Sequence, residues 1–366
     1  MTRNAQLTVN LGQTDADSRL EPGQAARVLI IDDSLVLRSV VERIISTHPA
    51  LTMVASLSSA DQALSYLRAH AVDIIILDVE MPSRCGLDAL PDLIAAGGSA
   101  RVLVLSSQCA EGAPATLRAL ALGASDTLAK PGRQNYSNAF SAMLVDRLTM
   151  LKDAAQAARS AITPLLAHPA KPHHRFDCLG IGASTGGISA IHALLKSVDA
   201  CVDAPILITQ HLPAIFMPYM VSQINDLGMR PAHLALDGAP LLNGHIYCAP
   251  GDAHLRLHRR GSGVRIRLVK DWPGTIYKPS VDPMFMAMAE CFGARCAGVL
   301  LSGMGNDGLV GAQQLAAGGA PIYAQDAQSS TVWGMPGAVA RAGIASVILP
   351  PGGIAASLNK SWKEQP

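Results

Sequence analysis

Short apolar runs alternate with amphipathic helical patterns along most of this chain, and that alternation restricts the fold more than any other feature. From Arg27 onward, each apolar run is followed by a segment with apolar residues at helical spacing. Strands that alternate with helices form a parallel sheet, because each helix crosses over one face of the sheet to reach the next strand. The sequence therefore predicts an α/β fold of doubly wound parallel sheets.

A length of 366 residues suggests two domains, and the alternation is interrupted once. Residues 162–176 contain three prolines and three histidines without apolar periodicity, which marks a boundary. The histidines could bind a metal, but with no Cys or carboxylate among them a solvated linker is favoured. The predicted units are a disordered extension (1–26), a five-stranded first domain (27–153), a linker (154–176) and a larger second domain with an antiparallel hairpin (177–366).

Composition excludes several classes of function. Hydrophobic residues make up 49% of the chain, charged residues 16%, and the formal net charge is +1, so nothing electrostatic favours nucleic acid or a membrane surface. No apolar stretch reaches the ~18 residues that span a bilayer, and the polar N-terminus has no signal-peptide core. The second domain shows neither a helix-turn-helix pattern nor a basic stripe. We expect a cytoplasmic protein that neither inserts into membranes nor binds DNA.

Polar residues fall at the carboxyl ends of the first domain's strands, where α/β sheets bind ligands. They are Asp32, Asp33, Asp78, Ser106 and Lys130. Clustered carboxylates suit a hard cation such as Mg²⁺, and an Asp beside it can attack a phosphoryl group. Lys130 and Ser106 would then contact the phosphoryl oxygens. Helix capping by Asp32 and Asp33 is the simpler reading, but it does not explain the other strand ends.

The first domain resembles the receiver domains of two-component response regulators. The resemblance rests on residues 30–34 (Ile-Ile-Asp-Asp-Ser), 77–82 (Leu-Asp-Val-Glu-Met-Pro), Ser106 and 130–131 (Lys-Pro). It implies Asp78 as the phosphoacceptor, a Mg²⁺ site at Asp32, Asp33 and Asp78, and phosphoryl contacts from Ser106 and Lys130. It also implies a histidine kinase as the phosphodonor and a cis peptide bond before Pro131.

The second domain opens with an apolar run, a turn of small residues and a helical pattern. Residues 182–186, Gly-Ala-Ser-Thr-Gly, fit the nucleophile elbow, in which glycines let a tight turn present a serine hydroxyl beside free helix N–H groups. A dinucleotide-binding turn is disfavoured because Thr185 replaces its third glycine and the next strand ends in Gln210 and His211. A plain Gly/Ser turn remains the alternative.

A serine, a histidine and an aspartate each follow a strand of the second domain: Ser184, His211 and Asp307. Together they could act as nucleophile, general base and the group that orients the base. Their order along the chain differs from that of ordinary α/β-hydrolases, but a triad is defined by geometry. His254 is a second, weaker candidate base. Alone, His211 could be a core histidine and Asp307 a helix cap.

The second domain resembles the chemotaxis protein-glutamate methylesterases. The motifs lie at residues 181–187, 210–213, 249–252, 278–282, 303–308 and 334–336. The resemblance implies a hydrolase, activated by phosphorylation, that releases methanol from methyl-glutamate side chains on cytoplasmic domains of chemoreceptors. It implies catalysis by Ser184, His211 and Asp307 without a cofactor, Thr185 and Met304 at or near the oxyanion site, and deamidation of specific receptor glutamines. A receptor-binding output without catalysis is the competing hypothesis, and methanol release separates the two.

Overall fold

The computed structural model of the chain describes residues 24–82, 84–106, 113–130, 138–160, 175–261 and 263–363. Residues 1–23 of the predicted N-terminal extension, most of the predicted linker and the peptide bond before Pro131 lie outside these residues, as does the side chain of Ser106.

The first domain is a five-stranded parallel sheet with helices on both faces, as the alternation predicts. Its strands are β1 (Ala26–Ile31), β2 (Leu51–Leu57), β3 (Ile74–Asp78), β4 (Arg101–Ser106) and β5 (Asp126–Ala129). Its helices are α1 (Leu35–Ser46), α2 (Ala60–Leu67), α3 (Gly86–Gly97), α4 (Ala113–Ala121) and α5 (Asn138–Ser160). The strand order β2-β1-β3-β4-β5 places the ends of β1 and β3 side by side.

The second domain is built on a seven-stranded parallel sheet. The strands of the domain are β6 (Cys178–Ala183), β7 (Ile206–Gln210), β8 (Ala232–Leu234), β9 (Ile246–Cys248), β10 (His254–Arg260), β11 (Gly263–Val269), β12 (Cys296–Leu300), β13 (Ile322–Gln325) and β14 (Val347–Leu349). Its order β14-β13-β12-β6-β7-β9-β8 puts β6 between β7 and β12. The segments after these three strands therefore meet at one edge, which is where the predicted Ser, His and Asp lie.

Helices cover both faces of the larger sheet. They are α6 (Gly187–Ser197), α7 (Met217–Asp226), α8 (Val281–Phe292), α9 (Leu309–Ala317), α10 (Met335–Arg341) and α11 (Pro351–Lys363). Alternate residues of β6 face opposite layers, since successive side chains on a strand point to opposite faces. Leu179 and Ile181 enter the cluster formed with α6 and α11. Gly182 faces α8, where an added Cβ would lie 2.5 Å from Val281, so glycine permits close packing of that helix.

The predicted hairpin forms a small sheet of its own. Strands β10 and β11 pair antiparallel from His254 with Val269 to Arg260 with Gly263. Their inward side chains, Leu255, Leu257 and Ile266, are buried in the apolar cluster that includes α8. The hairpin therefore braces α8 and leads into the segment that precedes it, which reaches the site described below.

Two elements of the second domain have no counterpart among the sequence patterns. Strand β8 is three residues long, too short for a periodic signal. Helix α11 begins with Pro351, Gly352 and Gly353, a composition typical of a turn, yet proline suits the first position of a helix. Its apolar residues Ile354 and Leu358 are fully buried in the cluster shared with α6, and this packing stabilises the helix.

The two domains are in contact along α4. Leu117 of α4 is fully buried and belongs to the same apolar cluster as Ile188 and Ile191 of α6. On a second element, the Arg101 guanidinium at the start of β4 donates a hydrogen bond of 2.7 Å to the Ser330 carbonyl. The α4 face of the first domain is therefore held against α6 of the second domain.

The predicted boundaries between the two domains and the linker stay a prediction. Helix α5 continues to Ser160, and β6 begins at Cys178. In the described part of the chain, no helix has both the length and the apolar character needed to cross a membrane.

Candidate active site and phosphoacceptor site

The turn that carries Ser184 joins the end of β6 to the start of α6. The Ser184 N–H donates to the Ser302 carbonyl at 3.0 Å. The Ser184 carbonyl accepts bonds from the Gly187 N–H at 2.8 Å and from Gln210 Nε2 at 2.9 Å. The backbone of the turn is thus held by both neighbouring strand ends, as the strand–turn–helix pattern requires.

Glycines allow two close approaches around this turn. Gly186 has φ +74°, and a Cβ there would lie 2.3 Å from the Thr331 side chain. A Cβ on Gly303 would lie 2.9 Å from Ser184 Cβ. The loop that begins at Gly303 can therefore pass directly beside Ser184, and Met304, the next residue, has a side chain that is 51% exposed.

His211 and Asp307 form the central pair of the site. The His211 N–H donates to the Ala183 carbonyl at 3.0 Å, which fixes the residue at the end of β7. On the ring, Nε2 lies 2.7 Å from Asp307 Oδ2. The carboxylate accepts a hydrogen bond, so Nε2 carries the proton and Nδ1 is the nitrogen left to act as a base.

Asp307 is surrounded by donors. Ser280 Oγ donates to Oδ1 at 2.6 Å, and the Val281 N–H donates to Oδ2 at 2.7 Å. Burial alone would raise the pKa of Asp307, but the bonds from His211, Ser280 and Val281 outweigh burial and lower that pKa. The site therefore stabilises an ionised carboxylate that faces the histidine.

Ser184 and His211 line one cavity of about 360 Å³, and its other wall belongs to the first domain. Thr116 and Leu120 of α4 and Asp126 of β5 complete that wall. The structure thus brings the predicted Ser and His to a shared space, with Asp307 behind the His. Their catalytic roles, and those of Thr185 and Met304 at the oxyanion site, stay predictions.

His254 lies in a supporting position. It is buried, and its Nδ1 accepts a hydrogen bond of 3.1 Å from the Ser280 N–H. Burial lowers the pKa of His254, which keeps the ring neutral and able to accept that bond. His254 therefore braces Ser280, which donates to Asp307, and stays a weaker candidate for the base than His211.

Sequence reasoning missed three polar residues that organise the site. Ser280 lies in the motif at 278–282, but its spacing says nothing about Asp307. Ser302 donates from Oγ to the Thr185 carbonyl at 2.7 Å and accepts from the Val332 N–H at 3.0 Å. Gln210 was noticed only as the residue before His211. Each acts through contacts between segments distant along the chain, which no local pattern reveals.

The first domain gathers its carboxylates around one lysine. Lys130 Nζ lies 2.8 Å from Asp32 Oδ2 and 2.8 Å from Asp78 Oδ2, and both aspartates are buried. Asp33 is exposed beside them, and one oxygen from each of the three aspartates lies within 4.8 Å of the others. Three hard oxygen donors at this separation fit a divalent cation such as Mg²⁺.

Asp78 is held in an environment that disfavours its charge. Its Oδ1 accepts a bond of 3.0 Å from the Glu80 N–H. Burial raises the pKa of Asp78 to about 6, and the Asp32 charge adds to this, while Lys130 offsets part of it. Asp78 ends β3, which lies between β1 and β4, and its role as the phosphoacceptor stays a prediction.

These two sheet edges define the class of protein, a receiver domain joined to a hydrolase domain with a parallel α/β sheet. The family profile for CheB methylesterase matches residues 179–358, and the response regulator receiver domain profile matches residues 28–138. The chain belongs to the CheB methylesterase family, carries a receiver domain, and is a hydrolase.

Curated relatives match over nearly the whole chain. The protein-glutamate methylesterase/protein-glutamine glutaminase 1 of Rhodospirillum rubrum is 36% identical over 370 residues, 93% of this chain and 96% of the relative. The protein-glutamate methylesterase/protein-glutamine glutaminase 2 of Caulobacter vibrioides is 39% identical over 333 residues, 88% of this chain and 95% of the relative. The crystal structure of the Thermotoga maritima CheB methylesterase catalytic domain is 30% identical and covers 50% of this chain and 98% of its own, with a TM-score of 0.49.

Proposed function

We propose that this chain hydrolyses glutamate γ-methyl esters on chemoreceptors through Ser184, His211 and Asp307, under the control of phosphorylation at Asp78. The observation that carries the proposal is the 2.7 Å bond between His211 and Asp307 at the wall of the cavity that Ser184 also lines. The names of the relatives supply the ester and amide substrates.

The proposed reaction assigns one role to each of the three side chains. His211 Nδ1 accepts the hydroxyl proton while Ser184 Oγ bonds to the ester carbonyl carbon. The carbon–methoxy bond then breaks, and the imidazolium returns the proton so that methanol leaves. Water repeats the two steps on the acyl-enzyme, giving glutamate and free Ser184. Asp307 stabilises the imidazolium in both steps.

The oxyanion formed in each step needs hydrogen-bond donors at the same edge. The backbone N–H groups of Thr185 and Met304 are our candidates, because Thr185 follows the nucleophile and Met304 lies on the loop that passes beside it. Backbone donors of this kind typically contribute ~10²–10³-fold to turnover. A glutamine amide has the same carbonyl, so deamidation would use the same groups with ammonia as the leaving group.

Phosphorylation belongs to the other sheet edge. A carboxylate oxygen of Asp78 attacks the phosphorus of a phosphohistidine on a histidine kinase, and the phosphorus–nitrogen bond breaks. Asp32, Asp33 and Asp78 would hold Mg²⁺, which when bound neutralises charge on the phosphoryl oxygens. Lys130 pairs with Asp78, and we expect it to contact the phosphoryl group together with Ser106.

The contact between the domains supports regulation in which the first domain covers the Ser184 cavity. Leu117 is buried against α6, Arg101 binds the Ser330 carbonyl, and α4 forms a wall of the Ser184 cavity. We propose that this wall restricts the approach of a receptor helix to Ser184 until the first domain shifts. We propose that phosphorylation of Asp78 weakens the contact between the two domains. We also propose that the enzyme is cytoplasmic and acts on the cytoplasmic domains of receptors.

Methanol release from methylated chemoreceptors tests the activity, with a phosphodonor present. We expect Ser184→Ala to lose at least ~10³-fold in turnover and His211→Ala to fall to a similar rate, because the two residues act as a unit. Ser197→Ala, at the exposed end of the same helix, is the matched control and should keep the wild-type rate. A wild-type protein that binds receptors but releases no methanol would support the non-catalytic output instead.

A further inference from the structure

The segment between the hairpin and α8 places an aromatic ring on the catalytic histidine. The rings of Tyr277 and His211 lie parallel, with centroids 4.4 Å apart and an interplanar angle of 12°. Tyr277 belongs to neither sheet nor helix, and the bonds already described for His211 do not involve it. The imidazole is therefore held at its edge by Asp307 and covered on one face by Tyr277.

Tyr277 is itself held in place from two sides. Its N–H donates to Thr275 Oγ1 at 3.1 Å, which closes a tight turn in the segment. Its phenol group crosses Gly305, where an added Cβ would lie 2.6 Å from Tyr277 Oη and where φ is +79°. The ring thus spans the space between the base and the loop that carries Met304. A side chain at position 305 would push the ring away from the histidine.

The base of the segment is anchored by a further aromatic contact. The Arg256 guanidinium lies 4.3 Å from the centroid of the Trp272 ring, and Arg256 also binds Glu290 at 2.8 Å. A cation over an aromatic face is attracted by the negative charge density of the ring. The segment therefore leaves the hairpin from a fixed point, which favours one position of Tyr277.

Ordinary core packing does not account for this arrangement. Ile276, the neighbour of Tyr277, is 92% exposed, and Tyr277 is only half-buried, so the segment does not serve to bury apolar surface. What the tyrosine covers is the flat face of His211. Stacking on that face opposes rotation of the imidazole about its Cβ–Cγ bond, the motion that would separate Nε2 from Asp307 and change the direction in which Nδ1 points.

We propose that Tyr277 is a positioning residue that holds the His211 ring in the plane required for proton transfer to and from Ser184. The inference rests on the proposed function and deepens it. The tyrosine does not touch the ester. It limits the orientation of the base, and its negative ring face favours the imidazolium that forms when the proton is transferred.

The test compares four variants of the full chain on a small soluble glutamate γ-methyl ester, with a phosphodonor present. We expect Tyr277→Ala to lower kcat about tenfold with a much smaller change in KM, since the ring acts on the chemical step. Tyr277→Leu, which fills similar volume without an aromatic face, should show the same loss. Tyr277→Phe keeps the stack and should restore kcat to within about twofold. Ile276→Ala is the matched control within the segment and should keep the wild-type kcat.

A second readout does not depend on turnover. In proton NMR, the His211 Nε2–H bound to Asp307 should give a downfield signal that stays sharp in wild type and Tyr277→Phe and broadens in Tyr277→Ala and Tyr277→Leu. A kcat for Tyr277→Ala equal to that of Ile276→Ala, with an unchanged signal, overturns the inference. A Tyr277→Phe variant as slow as Tyr277→Ala also overturns it, because the hydroxyl and not the stack would then matter. If wild type releases no methanol, the proposed function fails, while the NMR comparison still decides whether Tyr277 orients the ring.

Discussion

Asp78 and Asp307 each lie at the carboxyl edge of a parallel sheet, Asp78 at the end of β3 and Asp307 in the loop after β12, yet their pKa values are shifted in opposite directions. Asp78 is buried beside Asp32, shares Lys130 with it, and its pKa is raised to about 6. Asp307 receives bonds from His211, Ser280 and Val281, and its pKa is lowered. Each has a second carboxylate nearby, Asp32 for Asp78 and Asp282 for Asp307, so the difference lies in the donors that face each one. Asp78 shares one lysine with its neighbour, whereas Asp307 accepts bonds from a ring N–H, a hydroxyl and a backbone N–H.

The comparison teaches what each edge can do chemically. Carboxylates that compete for one lysine have oxygens left to bind a cation and a phosphoryl group. A carboxylate surrounded by donors has no such capacity and can only orient and stabilise the group it faces. The carboxyl edge of a parallel sheet therefore suits phosphoryl transfer in one domain and ester hydrolysis in the other.

Asp307→Asn breaks the comparison most severely. The amide can present its NH₂ group to Nε2, which favours the wrong imidazole tautomer and leaves Nδ1 protonated. We expect turnover on a small methyl ester to fall by ~10²–10⁴-fold with a similar KM. Asp177→Asn, at the opposite end of β6, is the control and should keep full activity. A loss smaller than tenfold in folded Asp307→Asn protein would mean that this carboxylate does not orient the base.

Asp78→Asn removes charge at the other edge without touching the hydrolase. We expect basal methanol release to be unchanged and stimulation by a phosphodonor, about five- to a hundredfold in wild type, to disappear. Asp88→Asn on the exposed face of α3 should retain the stimulation. Stimulation that persists in Asp78→Asn would move the phosphoacceptor to another residue.

Ser280→Ala sharpens the comparison by removing one donor from Asp307. Turnover should fall about tenfold, because a hydrogen bond to a buried charge is lost. Hydrogen-bond donors lower the pKa of Asp307 in the folded protein, so losing one donor raises that pKa. As the pH falls, the ionised carboxylate's contribution to the free energy of unfolding is then lost at a higher pH than in wild type. Melting temperature measured against pH shows the shift. Ser361→Ala, a buried serine of α11, should change stability without changing turnover or its pH dependence.

Much of both folds was readable from the chain, because strands and helices leave periodic patterns. Four candidate site residues can be predicted from their positions at strand ends, since ligands bind at the carboxyl ends of parallel strands: Asp32, Asp78, Ser184 and His211. Family resemblance then assigned the roles. Asp307 lies after β12, and the order β12-β6-β7 explains why it faces His211.

The rest depended on contacts that local patterns do not encode. Tyr277 and Ser280 lie on a connection without periodicity, and only the packing of the hairpin and α8 brings that connection to the histidine. Leu117 reads as an ordinary core position of an amphipathic helix, yet it is buried against α6 of the other domain. Such contacts depend on how whole elements are placed, which spacing along a single helix cannot express.

Removing the first domain tests most directly the claim that the phosphoacceptor site controls the Ser184 site through the contact at α4. Turnover of a small soluble methyl ester should be compared between the unphosphorylated full chain and a chain lacking residues 1–160. A small substrate needs no receptor docking, so the comparison reports access to Ser184 alone. The account predicts a basal rate about five- to a hundredfold higher in the shortened protein. An equal rate for the two proteins would contradict covering of the site and would assign the first domain to delivery of the enzyme to receptors.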